Sequence, residues 1–587
     1  MFNPAAPAVT RPPRVGRQRA DKKSILLGVL VCLLVGALTV TPVIYVIIGS
    51  FNSQSLGQGF SFSLEGWSRL FASSATLESI WYSFVFAVRI PIALVIAFGI
   101  AWLLVRTDLP GRKFIETSLW VAFFLPALPV TIGWVLLANE DYGLLNSVVQ
   151  MMLPWVEEGP FAINSVIGIL WVHLTMSTIP IMVILLSPAF EQFDASFEEA
   201  AESSGARVGT TLRKVTLPLL APAVFTAFIA GLIKSLEVFE VEQILGTPVG
   251  IGVYANRIFE LVRLDPPAYM DAMAIGTLFL IVLLVAAIVY QIVLHKMQAQ
   301  ATLTGRGLRM NRKLRTRSLY VASALIITFI SVGVFLPILT LLVGSFNKIF
   351  GFFFISSPWT TSHWERVLAN PDFLSAAGNS MVIGIVASTL GTLLFALLAW
   401  LLVRSRMRGK AILNILVWMP WAIPGVLMSI AVLRIFLTVP GPNLLYGTLA
   451  PLIIVLIIKE MPLGTQMLRT AIMQVAPELE EGGQVSGARF RQVFFKITLP
   501  LIAPMLVTVF MLTFVTTLRD VGSVVFLAPP GTKNLPILMF EYANGGAMES
   551  GAVLGVIIAA LALVLVSVAM RLGLRMNPHR DTRKARK

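Results

Sequence analysis

Phe197-Glu198-Glu199-Ala200-Ala201-Glu202-Ser203-Ser204-Gly205-Ala206-Arg207, followed by Lys214-Val215-Thr216-Leu217-Pro218-Leu219-Leu220-Ala221-Pro222, is a polar interruption in an apolar chain. It recurs as Leu479-Glu480-Glu481-Gly482-Gly483-Gln484-Val485-Ser486-Gly487-Ala488-Arg489, then Lys496-Ile497-Thr498-Leu499-Pro500-Leu501-Ile502-Ala503-Pro504. The register holds without a gap, because Gly487 follows Gly205 and Pro500 follows Pro218 by the same 282 residues (487 − 205, 500 − 218). Identity at that density marks an internal duplication of nearly half the chain.

The surroundings of the two copies decide the fold class. Of the 587 residues, 57% are hydrophobic and 13% charged, and the mean hydropathy is +0.83. Soluble domains run at about 45–50% apolar and about 25% charged. Several apolar runs exceed the ~18–20 residues that cross a bilayer core, and lipid leaves each backbone polar group to be satisfied inside its own helix. The expectation is an all-α polytopic membrane protein with about 12 transmembrane helices. Spans are expected near 24–48, 80–105, 118–138, 163–187, 217–244 and 270–294. A second set is expected near 319–344, 378–403, 411–437, 446–470, 500–526 and 550–572. Cys32, the single cysteine, excludes an intrachain disulfide and a cysteine-rich metal site, and reads as a small buried hydrophobe.

The net charge of +15 reads as loop bias, with no basic stripe interleaved with aromatics to suggest nucleic acid. Roughly 33 of the 45 basic residues fall on one side of the spans, against about six on the other. The favoured side includes Arg106, Arg112 and Lys113, both repeated loops, the run from Lys296 to Arg317, and Arg404 to Lys410. Segment 138–162 carries Glu140, Asp141, Glu157 and Glu158 and no Lys or Arg. Both termini and both repeated loops are therefore expected in the cytoplasm. The expected organisation has a basic tail (1–24), a first half (25–295, core about 77–294) and a basic linker (296–318). A second half (319–575, core about 374–571) and a basic tail (576–587) complete it. Two six-span units of like orientation form parallel repeats about an axis along the membrane normal. Their openings correspond too: Gly49-Ser50-Phe51-Asn52 echoes Gly344-Ser345-Phe346-Asn347, and Ala101 to Arg106 echoes Ala399 to Arg404.

Within the repeated loop, Ser196 and Glu199 have capping-box spacing, and Pro477 suits a first helical position. Gly205 and Gly487 permit a left-handed turn. Ala200, Ala201 and Ala206 leave a low surface for a partner's groove. The plain alternative is an amphipathic connector in the headgroup region, which matching copies in both halves disfavour.

Glu-Ala-Ala, three residues, Gly, then about a dozen residues to Leu-Pro resembles the EAA loop of ABC-importer permeases of the type I (MetI-like) fold. The resemblance covers both halves. It implies that Glu199, Ala200, Ala201 and Gly205 form one coupling helix for an ATPase subunit, and Glu481, Gly482, Gly483 and Gly487 the other. Gly482-Gly483 departs from the Ala-Ala pattern, at about 1 kcal/mol per glycine in a helix, and implies a less regular, unequal second contact. No G-x-x-x-x-G-K-[ST] occurs, so the resemblance implies two separate ATPase subunits, an extracytoplasmic (periplasmic or lipid-anchored) binding protein, and no catalysis in this chain. The place implied is the bacterial inner membrane.

Ionisable residues inside spans are functional candidates. Lys234 and Glu237 stand one turn apart and can neutralise each other, and Glu240 and Glu242 follow. The repeat offset sets Glu237 opposite Arg519, beside Asp520, which suggests that Glu237 and Arg519 face each other across the passage, with Glu240 and Asp520 nearby; the alternative is that these charges lie near the outer ends of their spans and reach the headgroups. Arg89, Arg434, Lys459 and Glu460 read as snorkelling to an interface or as lying just beyond a span boundary, and His173 as a packed histidine. No spacing reads as a metal site, no catalytic set appears, and no cofactor is expected. Ser235 to Glu240, Gly246 to Ile251, Leu518-Arg519-Asp520 and Pro530-Gly531-Thr532 are similar to the ferric-iron permease branch. Related branches carry polyamine, thiamine or aminoethylphosphonate. From a different class, an ion-coupled secondary transporter also fits the hydropathy, but leaves the duplicated loops unexplained.

Overall fold

The computed structural model describes residues 22–54, 59–298, 316–405, 407, 409–488 and 490–572. Residues 1–21 of the expected N-terminal tail, all of the expected C-terminal tail and most of the expected linker lie outside the described residues. The chain is all-α, and its extended pairing among the described residues amounts to two isolated bridges, Asn52 with Phe62 and Asn347 with Trp359. Nine helices among the described residues are long and apolar enough to cross a membrane, and three further pairs are bent at a short break. Counting each bent pair as one span gives up to twelve, and the two halves repeat the same series.

Two of the bent pairs correspond. Arg112–Phe124 and Ala127–Ala138 meet at 103°, and Lys410–Ala422 and Gly425–Thr438 at 109°. Runs 118–138 and 411–437 were expected as single spans, and proline is why they are not straight. Pro126 and Pro424 occupy equivalent positions (424 − 126 = 298), and each forces the residue before it into extended backbone. Leu125 has ψ 135° and Ile423 ψ 112°. The third bent pair, Val208–Leu219 with Ala221–Leu236 at 76°, has no bent counterpart, because Phe494–Thr517 runs through as one span.

The repeat offset itself changes along the chain. It is 298 residues from Arg106 to Arg404 and 282 from Gly205 to Gly487. The difference falls between the helix ending at Ala138 and the one starting at Val166, where the first half inserts helix Leu144–Met152. Buried Asn146 ties this insertion down, donating to the carbonyls of Asn139 (2.9 Å) and Phe161 (2.7 Å).

The halves are interlocked. The first span, Lys22–Gly49, packs on the broken third span of the second half, and Leu336–Gly344 packs on that of the first. Small residues allow the approach: a Cβ on Gly133 would meet the Pro337 carbonyl at 2.1 Å. Trp134 Nε1 donates to the Gly333 carbonyl at 3.3 Å. One hydrophobic cluster accordingly runs through both halves, while Ile90, Phe190 and their neighbours form a satellite joined by Leu319, Ile326 and Ile330 of the second half, and Phe395, Leu468 and theirs one joined by Val31 and Val35 of the first. Cys32 is a free, partly buried thiol packed against the latter.

Candidate functional site: the repeated loops and the charged seam

The two loops are built on one plan. Helix Ser196–Ser203 and helix Pro477–Val485 each end at a glycine in left-handed conformation, Gly205 (φ 86°) and Gly487 (φ 85°). The chain turns back through hydrogen bonds from Ala206 N to Ala201 O (3.0 Å) and from Ala488 N to Gly483 O (3.1 Å), which satisfy carbonyls that a helix end leaves free. Both loops then enter a π-helical turn, Leu212–Thr216 and Phe494–Thr498. Pro477 opens its helix as expected. Ser196 does not cap its own: it is the first helical residue, Ala195 precedes it, and the Ser196 amide donates to Asp194 Oδ1 at 3.0 Å. An Asx turn therefore starts this helix in place of the capping box.

The glycine pair leaves the second helix unbroken, and nine residues long against eight. Gly483 has a packing reason. A Cβ there would come within 2.9 Å of Ile497 Cδ1 and 3.1 Å of Val493 Cγ2. The first copy carries Ala201 at this place and the smaller Thr211 and Val215 opposite it. Gly482 has open space around its Cβ direction. Glu199, Ala200, Glu481 and Gly482 are exposed on their loops, Ala201 and Gly483 half-buried, and Gly205 and Gly487 exposed.

The preceding glutamates turn inward, which the sequence reading missed. Glu198 is buried, its Oε2 lying 3.4 Å from Arg106 Nε while its Oε1 accepts from Thr216 Oγ1 at 2.7 Å. Arg106, the last residue of helix Arg89–Arg106, also donates to the Phe193 carbonyl at 2.7 Å. In the second half Glu480 Oε2 lies 3.2 Å from Arg404 Nε, and Glu480 Oε1 accepts from Thr498 Oγ1 at 2.9 Å. Arg404 donates to the Val475 carbonyl at 2.5 Å. In both clamps the Nε contact is a charge pair without hydrogen-bond alignment.

The second group of charges lies at the seam between the halves. Glu237 pairs with Lys234 at 2.7 Å, as expected. Arg519 does not face Glu237; its Nη1 donates to the Phe123 carbonyl, freed at the end of Arg112–Phe124 by the proline break, and its guanidinium lies 5.4 Å from the Phe123 ring centre. Trp421 is the residue equivalent to Phe123 (421 − 123 = 298), and Lys234 Nζ lies 5.6 Å from its ring centre. Each half thus sends a cation from the end of its fifth span to the aromatic residue beside the other half's break. The cations sit one turn out of register, because Arg519 corresponds to Glu237 and not to Lys234. Glu240 Oε1 accepts from Val521 N at 3.2 Å, a further contact between halves. Asp520 pairs with Lys459 at 2.9 Å and accepts from the Ser523 amide and hydroxyl, both at 2.9 Å.

Lys459 therefore does not snorkel, and neither does Arg89, which is buried and donates to the carbonyls of Phe86 (3.0 Å) and Ser235 (3.3 Å). Arg434 donates to Met273 Sδ at 3.3 Å. His173 is packed and shares a 2.7 Å contact with Glu242, both buried. Among the described residues no group of three or more His, Cys, Asp or Glu is placed to hold a metal ion.

A family model described as "Binding-protein-dependent transport system inner membrane component" matches residues 89–298 and 392–579, one segment in each half. The probable ABC transporter permease protein y4fN of Sinorhizobium fredii is 26% identical over 488 residues, which cover 80% of this chain and 83% of that protein. The ferric transport system permease protein FbpB of Actinobacillus pleuropneumoniae is 24% identical over 396 residues, 65% of this chain and 56% of that protein. The chain so spans little more than half of that ferric relative's length. The spermidine/putrescine transport system permease protein PotC of Haemophilus influenzae is 28% identical over 246 residues, 42% of this chain and 93% of that protein.

Proposed function

The chain belongs to the family of binding-protein-dependent transport system inner membrane components, and on that premise we propose that it forms the whole translocation pathway of an ATP-driven importer for ferric iron. The membership makes it a multi-pass inner-membrane permease of the ABC-importer class, with a non-catalytic transport role. The observation that carries the proposal further is the duplicated loop. Glu199 and Ala200 in one half, and Glu481 and Gly482 in the other, present an exposed helix face, with Ala201 and Gly483 half-buried behind it, and each helix ends at a left-handed glycine. In this reading each face docks one ATPase subunit, so two are required, and both loops and both chain termini lie in the cytoplasm, on the side favoured by the basic residues. The halves 25–295 and 319–575 then line one passage between them. Lys234, Glu237, Glu240, Arg519 and Asp520 sit where that passage closes.

Ferric iron is favoured because ferric permeases recur among the relatives. The spermidine/putrescine relative makes a polyamine the second reading. Reconstitution tests both levels. Proteoliposomes holding this chain, its ATPase subunit and internal ATP should accumulate radiolabelled Fe(III) delivered by the binding protein, and accumulate spermidine poorly. Spermidine uptake in place of iron overturns the cargo alone. Uptake driven by an ion gradient without the ATPase overturns the importer reading and favours a secondary transporter.

A further inference from the structure

The Arg–Glu–Thr clamp occurs twice, built from residues that the repeat makes equivalent. Glu198 and Glu480, Thr216 and Thr498, and Phe193 and Val475 are related by one offset of 282 residues, and Arg106 and Arg404 by 298. Each clamp joins three separate pieces of chain. The arginine ends a membrane helix, Arg89–Arg106 or Pro371–Val403. The glutamate belongs to the loop helix, and the threonine closes the π-helical turn from which the fifth span starts. The glutamate uses both oxygens, one toward the arginine and one for the threonine. The arginine also reaches a carbonyl two or three residues before the loop helix begins, at Phe193 or Val475.

A short surface helix held only at its ends would tilt freely when a partner pushed on it. One pinned through a carboxylate to two membrane helices passes the displacement on, since a charge buried without its partner is disfavoured and packed elements move as units. We propose that Arg106, Glu198 and Thr216, and Arg404, Glu480 and Thr498, are positioning residues that transmit movement of the docked loop helices to the second and fifth spans of each half. The proposal rests on the ATPase-docking reading of the loops. It assigns the neighbouring glutamates separate tasks: Glu199 and Glu481 meet the partner, while Glu198 and Glu480 carry its movement inward.

Pulsed electron resonance on the complex with its ATPase subunits tests this without knowing the cargo. In a Cys32→Ser chain, one label pair is placed on the loops (Ser203→Cys with Ser486→Cys). A second pair is placed at the ends of the opposite-side helices (Ala72→Cys with Ala369→Cys), and all four sites are exposed. Trapping with ATP and vanadate should change both distances. In Glu198→Gln/Glu480→Gln the loop pair should still move while the shift of the far pair falls to less than about half, and Glu198→Asp/Glu480→Asp should restore it. A far-pair shift as large in the glutamine variant as in the parent overturns the proposal. Loop labels that stay still in the parent overturn the docking reading beneath it. If the glutamine variant does not assemble, Thr216→Val/Thr498→Val, which keeps the charge pair, is read by the same criterion.

Discussion

The two copies of the loop share a skeleton and differ in how dry they keep it. In the first clamp the side chains of Arg106 and Glu198 are 4% and 7% exposed, while in the second Arg404 and Glu480 are 15% and 16% exposed. The glycine pair fits this picture only in part. Gly483 and its larger neighbours Val493 and Ile497 exchange bulk with Ala201, Thr211 and Val215, so the close packing of helix on turn is kept by other means. Gly482 exchanges with Ala200 on the exposed face and has no such partner. The two copies thus keep the hydrogen-bonded frame, with compensated differences in the packing at Gly483 and an uncompensated one on the exposed face at Gly482.

The comparison can be broken at its strongest point. Removing the carboxylate by Glu198→Ala leaves the buried Arg106 charge without this carboxylate, and such losses run to about 3–5 kcal/mol. Glu480→Ala should cost clearly less, since its pair is wetter and water can take over. Thermal unfolding of the purified chain gives the ranking, and equal losses would contradict it. The turns should behave alike. Gly205→Ala and Gly487→Ala each place a side chain in left-handed backbone at about 1–2 kcal/mol, with open space in both, so their losses of hydrogen-exchange protection should match. Adjacent glycines should then differ in sign. Gly482→Ala should gain about 1 kcal/mol of helix stability. Gly483→Ala should lose about 1 kcal/mol once overpacking is set against that gain, and Val493→Thr with Ile497→Val should restore it. The smallest effect belongs to the seam: Trp421→Leu should cost about 0.5–1 kcal/mol through the lost contact with Lys234. Phe123→Leu should cost no more, because Arg519 keeps its carbonyl acceptor.

Much of this architecture was legible as sequence, for reasons that show where legibility stops. Span number and the duplication follow from apolar run length and an ungapped repeat, both one-dimensional properties. Gly205 and Gly487 could be read as left-handed turns because that backbone favours glycine over every other residue. The proline breaks were visible, Pro126 and Pro424 sitting at one offset inside apolar runs, yet a hydropathy window does not register a bend. Which of two adjacent glutamates turns inward was not legible from composition, since neighbours on a helix point about 100° apart. The signal was there in Arg106 and Arg404, equivalent arginines at the ends of equivalent spans. Across the seam the offset aligned Glu237 with Arg519 as positions. The side chains met other partners because the two cations, Lys234 and Arg519, are displaced by one turn.

The most direct test asks whether the exposed glutamates touch an ATPase. In a Cys32→Ser chain co-expressed with its ATPase subunit, a single cysteine at Glu199→Cys or Glu481→Cys is treated with a short bifunctional thiol reagent. The account predicts cross-linking to the ATPase from both positions, with the cysteine of Glu198→Cys protected. Cysteines 199 and 481 that never reach the ATPase, but react with a reagent confined to lipid headgroups, would contradict it and leave the loops as membrane-surface connectors.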